Sequence, residues 1–233
     1  MSDALEKLAG IRHLPLFPLP LVLLPNEFLP LHIFEPKYRK MLKDVRDEQN
    51  FFGVTFFDPQ NPLQEKPETG AVGCVAEVRE ADEMPDGRSN ILTVGVARYR
   101  LVEYIDAGEP YLVGDVEFFE DEPEDETILE PLSDEVHGLF ERIARAAFKL
   151  SGSHGMLPDI PKTGPEQMSF LITAAFNLDN ELKYEMIDIT STIRRLEKLR
   201  EVLLRAVSKL EANADIQKIA RTNGHSNKKI DLD

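Results

Sequence analysis

The chain has 233 residues, 42% of them hydrophobic and 30% charged, which is enough to bury the core of one or two globular domains. Its net charge of −15 disfavours nucleic acid and anionic surfaces, since such binding depends on neutralising phosphates with lysine and arginine. The single cysteine, Cys74, excludes an internal disulfide framework and a cysteine-rich zinc site, and suits a reducing cytoplasm.

The N-terminal stretch MSDALEKLAGIRH lacks the basic and apolar regions of a signal peptide. From Leu14 to Leu42 the chain reads LPLFPLPLVLLPNEFLPLHIFEPKYRKML. Pro15, Pro18, Pro20, Pro25 and Pro30 interrupt its leucines. Proline fixes φ and has no N–H, so this run is expected to form neither a continuous helix nor a central strand, but short extended pieces broken by turns. Leu14–Leu24 is too short and too broken to cross a bilayer, which takes roughly 20 apolar residues.

Glu35-Pro36 marks a helix start, with proline at the first helical position and a carboxylate at the positive end. Tyr38, Met41, Leu42 and Val45 recur at helical spacing and predict a buried face. Phe51–Phe57 reads as a buried strand, followed by the proline-rich loop DPQNPLQEKPETG. Val72, Cys74, Ala76 and Val78 alternate, as do Leu92, Val94, Val96 and Arg98, with a turn at Asp86-Gly87 between them. This predicts a long hairpin, with two further strands at Leu101–Ile105 and Tyr111–Phe119. Many short strands with frequent turns predict a closed or partly closed barrel.

The pattern then changes. Glu117–Glu130 is acidic, contains Pro123, and reads as a solvated bend or linker. Ser133 is a candidate N-cap for a helix carrying Val136, Leu139, Phe140, Ile143, Ala147 and Leu150. A loop, SGSHGMLPDIPKTG, precedes a short helix with Pro165 at its first position. Another short helix covers Glu181–Ile187. A long one runs from about Ser191 to Ala212 with Ile193, Leu196, Leu199, Leu203, Val207 and Leu210 along one face. That stripe suits a core contact better than a coiled-coil partner. The expected organisation is an extension over residues 1–13, a β-rich domain over 14–119, an acidic linker over 120–132, a helical domain over 133–212 and a polar tail over 213–233. The fold class is α+β.

No constellation for chemistry stands out. Neither GxxxxGK[ST] nor a GxGxxG following a strand occurs, so a nucleotide site is not predicted. His32 and Glu35 are two possible ligands, where a metal needs three or four, and His13, His137, His154 and His225 are scattered. Ser151, Ser153 and His154 lie side by side, but not in a nucleophile elbow. The run Glu120–Glu126 lacks the order of an EF-hand loop. The expectation is therefore no catalytic residue, no metal and no cofactor.

The opening run, together with the strands that follow, resembles the N-terminal substrate-binding domain of Lon proteases. The likeness rests on LPLFPL (Pro15, Phe17, Pro18, Leu19), on LLP ending at Pro25, and on PLHIFEPKYRKML (Leu31, Ile33, Phe34, Glu35, Pro36, Tyr38). It continues through FFGV with Gly53, AVGCVAEV with Gly73, and VGVARYRL with Gly95 and Arg98. The helical half is similar too, through PEQMSFLITAAFNLDNELKYEMIDI and RRLEKLREVL, so the resemblance covers about Leu14 to Leu210. It implies a PUA-like β pseudobarrel followed by an α-helical bundle ending in a long helix. The motif residues would be mainly structural. It also implies a cytoplasmic binding module for unfolded or exposed apolar polypeptide, acting beside a protease or chaperone. The chain resembles bacterial stand-alone proteins of the family, without ATPase or peptidase residues. Leu29, Phe34 and Tyr38 are the candidate contact residues, in a groove between barrel and bundle, with a place in the core the alternative for each, since large apolar residues are usually inside. A small hydrolase or an RNA-binding PUA-like protein are the alternatives. No membrane partner is expected, and the oligomeric state is left open.

Overall fold

The computed structural model describes residues 3–58, 64–150, 162–176 and 178–223. In chain order the elements are α1 (Asp3–Lys7), β1 (His13–Leu19), β2 (Phe28–Ile33), α2 (Pro36–Glu48), β3 (Phe51–Phe56), β4 (Val72–Glu83), β5 (Ser89–Ile105), β6 (Leu112–Phe119), α3 (Glu126–Leu150), α4 (Pro165–Ala175), α5 (Asn180–Asp188) and α6 (Thr192–Asn223). This is a mixed α+β fold, strands first and helices after. The readings of Ser151, Ser153, His154 and His225, part of the proline-rich loop, and the tail beyond Asn223 lie outside the described residues.

The strands form one sheet in the order β2-β5-β4-β3-β1-β6, and β5 also pairs with β6. One side of β5 is taken by β4. Its other side is shared, by β2 along Ser89–Val94 and by β6 along Arg98–Ile105. The ladder β5-β4-β3-β1-β6 therefore returns to β5, and β2 is left outside the ring as an edge. Residues 101–105 continue β5 and do not make a separate strand.

One expectation fails here. β1 carries Pro15 and Pro18, yet it has a neighbour on each side. The neighbours are staggered: β6 pairs with His13–Leu16 and β3 with Leu16–Leu19, so only Leu16 is paired on both sides. Each proline has a strand on one side alone, and this lets a residue without an N–H sit inside a sheet.

Inside the ring Leu14, Leu16, Val75, Tyr99, Leu101 and Val116 are buried together. Tyr99 crosses the interior between two glycines and bonds the Thr55 hydroxyl. A β-carbon at Gly53 or Gly73 would stand 2.5 Å from its phenolic oxygen, so neither position has room for a side chain. A second core, holding Phe17, Leu24, Met41, Val45, Phe52 and Ile91, lies beneath α2. Phe170 of α4 and Ile187 of α5 join this core, so the helical half is packed against the sheet.

The helices share a third core. Val136 and Leu139 of α3 and Met168 and Ile172 of α4 pack with Leu196, Leu199, Leu203 and Val207 of α6. The apolar stripe of the long helix is thus covered by its own chain. Proline opens α2 and α4, as expected, and the Asp179 carboxylate caps α5 by accepting from the Leu182 N–H at 2.8 Å. The start of α3 differs from the expected one. It begins at Glu126, where Asp125 accepts from the N–H and hydroxyl of Thr127, and Ser133 is buried within the helix. Pro131 inside the helix disguises this earlier start in the sequence. No helix among the described residues is long and apolar enough to cross a membrane.

Candidate functional site

The edge strand β2 sets apolar side chains on water. Alternation sends Leu29, Leu31 and Ile33 inward and Phe28, Pro30 and His32 outward, with Phe34 continuing the outer row. Phe28 is 65% exposed and Phe34 59%. Side chains of this size are usually inside, so two on one strand's outer face form a surface that needs explaining. The His32 ring lies 6.0 Å from that of Phe34, nearly parallel, and its Nδ1 is 2.7 Å from the Asn90 amide oxygen. Glu35 pairs with Lys37 at 3.6 Å. Both members of the imagined metal pair are thus engaged elsewhere.

The three expected contact residues fall in different surroundings. Phe34 is on this surface. Leu29 is half-buried and packs on the core beneath α2. Tyr38 is half-buried too, its ring 4.2 Å from that of Phe17, with the Lys37 ammonium 4.6 Å from its centroid. None of the three lines the cleft between sheet and helices. Phe28, the most exposed large apolar residue among the described residues, escaped the sequence reading. Strict alternation from Ile33 backward would have pointed to it.

That cleft, of about 590 Å³, is bounded by Pro25, Asn26, Val96, Phe119, Glu166 and Phe170. It is more polar than an apolar groove. Burial, with Asp121 adding to it, pushes the Glu166 carboxyl above its ordinary value, while Arg98 and Arg195 oppose the rise.

Behind the cleft the acidic stretch becomes structural. Asp121 lies between the guanidinium groups of Arg98, from β5, and Arg195, from α6, and pairs with both. Arg98 is 2% exposed and Arg195 fully buried. Asp121 also accepts from the Thr192 hydroxyl. Further donors of both arginines are met by protein groups. Arg98 Nη1 donates to the carbonyls of Ile189 at 2.7 Å and Ile187 at 3.2 Å. Arg195 donates to the Ile189 carbonyl at 2.6 Å and to Ser169 Oγ at 3.0 Å. The Phe170 ring lies 4.2 Å from the Arg195 guanidinium and 5.3 Å from that of Arg98. Burial pulls the Arg98 pKa down, and Asp121 opposes that fall. Glu124 completes the junction by accepting from the Ile193 N–H at 2.9 Å and the Ser191 hydroxyl at 2.5 Å, which satisfies the start of α6. A solvated bend is therefore not what residues 121–124 form. The motif arginine, Arg98, serves as a joint between the two halves, and Arg195 and Asp121 were not foreseen.

Comparison with known proteins places these features in a family context. The family described as the ATP-dependent protease La (LON) substrate-binding domain matches residues 13–205. The Lon protease of Parabacteroides distasonis is 26% identical over 226 residues, covering 93% of this chain and 26% of that protein. With the Lon protease of Syntrophomonas wolfei the covered shares are 88% and 25%, so the chain spans about a quarter of the length of these curated relatives. Among solved structures, a Lon N-terminal domain protein from Xanthomonas campestris superposes with a TM-score of 0.59 at 23% identity, over 81% of this chain and 97% of that one. The N-terminal domain of Mycobacterium avium complex Lon protease gives 0.60 at 14% identity, over 82% and 98%. These two structures share the fold.

Proposed function

Because the chain belongs to the LON substrate-binding domain family, whose role is substrate recognition linked to proteolysis, we propose that it binds exposed apolar segments of unfolded polypeptide on a PUA-like scaffold and without chemistry of its own. One observation carries the reading: Phe28 and Phe34 stand on water along one face of an edge strand. Covering such residues with an apolar partner is favourable at about 25 cal/mol per Å². A folded client hides its matching residues, whereas an unfolded one presents them, and this difference is the basis of discrimination. The acidic remainder of the surface suits a module that must stay dispersed while it holds sticky partners.

Fluorescence anisotropy tests this with a fluorescein-labelled, permanently unfolded protein such as reduced, carboxymethylated lactalbumin. Binding in the micromolar range is expected, and the natively folded form of the same protein should not bind. Phe28→Ser with Phe34→Ser should weaken the complex about tenfold or more, an anchor-residue loss. No anisotropy change at tens of micromolar, with the circular dichroism of a folded protein, overturns the reading.

A further inference from the structure

We infer that the open edge of β2 takes up a client segment as an added, extended strand, and that the cationic face of α2 selects segments with acidic residues at the end next to Phe34. The inference rests on the polypeptide-binding reading above and specifies its geometry and preference.

The strand part follows from where the backbone groups of β2 point. The Gly95 N–H donates to the Glu27 carbonyl at 2.9 Å while the Gly95 carbonyl accepts from Asn26, where the backbone turns at positive φ; from Glu27 into β2 the odd-numbered residues then face β5. In an antiparallel ladder the next residues face the other way. Pro30 fits this phase, because its missing N–H falls on the open side and costs the ladder nothing. Phe28 and His32 therefore direct both N–H and C=O outward, and Pro30 directs its C=O. Among the described residues no strand pairs with that side. The half-buried Leu29 and Leu31 flank the edge inside, and Phe28 and Phe34 flank it outside, so an added strand gains apolar neighbours on both faces.

The charge part comes from α2. Arg39, Lys43 and Arg46 recur at spacings of four and three and so share one helical face. None of them has an ion pair among the described residues, although the chain carries 42 acidic residues against 27 basic ones. With Lys40 they line a cleft of about 760 Å³ that also touches Pro36, Gly87 and Ser89 and is lined by two acids, Asp47 and Glu83, so cations outnumber acids there by four to two. Ser89 is the ladder partner of Ile33, and the Arg39 guanidinium lies over Gly87 in the adjoining turn. Through Ser89 these cations lie near the Ile33 end of β2, the end at which an added strand would leave the edge.

A second copy of the chain is a poorer occupant. Antiparallel self-pairing centred on β2 sets Pro30 against Pro30 and loses both donors of the central pair. It also brings together two chains of charge −15.

Synthetic peptides decide the matter on the full chain, read by anisotropy. Each carries eight alternating valines and threonines with Glu-Glu-Asp-Glu, Lys-Lys-Arg-Lys or Ser-Ser-Gly-Ser at the N-terminus or, in a second set, at the C-terminus, since an antiparallel strand brings its N-terminus to Phe34 and a parallel one its C-terminus. In one of the two sets the acidic peptide should bind about tenfold more tightly than the basic one at low salt, and the gap should close near 0.5 M salt as screening shortens. R39E/K43E/R46E, whose changes lie on the surface, should reverse the order. N-methylation of alternate residues in one phase should abolish binding, and in the other phase leave it intact, since only one phase bonds to β2. Equal affinity of acidic and basic peptides in both sets, or indifference to N-methylation phase, overturns the inference. So does failure of every peptide while unfolded lactalbumin still binds, which leaves the broader reading standing. If unfolded lactalbumin also fails, both fall together.

Discussion

Replacing Asp121 with alanine should be among the most damaging single changes in the molecule. The carboxylate accepts four hydrogen bonds, one from Arg98, two from Arg195 and one from the Thr192 hydroxyl. Both arginines are almost wholly out of water, at 2% and 0% exposure of the side chain, so solvent cannot replace the lost partner. Removing one member of such a group leaves two like charges facing each other in a dry site. The expected cost is about 3–5 kcal/mol, set chiefly by the uncompensated charge and less by the lost bonds. For a protein of this size 1 kcal/mol lowers the melting temperature by about 2–4 °C, so the variant should melt about 6–20 °C lower. Removing the whole cluster should do less harm. Arg98→Met, Asp121→Leu and Arg195→Met together leave no stranded charge, and the triple variant should recover most of the loss. Urea unfolding followed by circular dichroism measures all three states. A cost below about 1 kcal/mol for Asp121→Ala, or a triple variant worse than the single one, would refute the account of the junction.

Three further outcomes follow from the ring of strands. Gly73→Ala places a β-carbon 2.5 Å from the Val54 carbonyl oxygen as well as from Tyr99, and backbone cannot step aside, so the urea midpoint should fall by the equivalent of about 1–3 kcal/mol; an unchanged midpoint contradicts the packing. Arg12, bonded to Asp115 at 2.9–3.2 Å, holds that carboxyl below its ordinary value of 3.8. A depressed carboxyl adds stability above its unfolded pKa, and the benefit is lost as pH falls through the folded value, so Arg12→Met should remove stability at pH 6 and lose less than wild type on acidification below 3.8; parallel acid-melting curves speak against it. Cys74 is fully buried and burial raises its thiol pKa, so Ellman's reagent should leave it unmodified in the native protein and label it fully in denaturant; rapid native labelling contradicts the buried position.

What was legible in the sequence divides along a physical line. Periodicity carries local information. The helix at Pro36, the Phe51 strand, the hairpin turning at Gly87 and the stripe of the last helix all follow from spacing and turn chemistry, which act within a few residues. Pairing partners do not show in such patterns. Pro15 and Pro18 argue against a central strand until the stagger of β3 and β6 is known, and that stagger depends on residues far along the chain. The same gap hid Asp121. An aspartate in EFFEDEPEDE looks solvated because its sequence neighbours are acids, yet its partners in space are Arg98 and Arg195, 23 and 74 residues away. Phe28 is the opposite case. Its alternation with Ile33 was readable, but its exposure depends on β2 being an edge, a property of the whole sheet. Charge shows why the two kinds of misreading belong together. In a chain of −15, acids are the background and carry little information, whereas a cation without a salt bridge to a near neighbour in sequence must either find a partner elsewhere or remain available. Arg98 and Arg195 found theirs in Asp121 and tie the two halves of the fold. Arg39, Lys43 and Arg46 have no ion pair among the described residues and line a cleft beside the turn between β4 and β5.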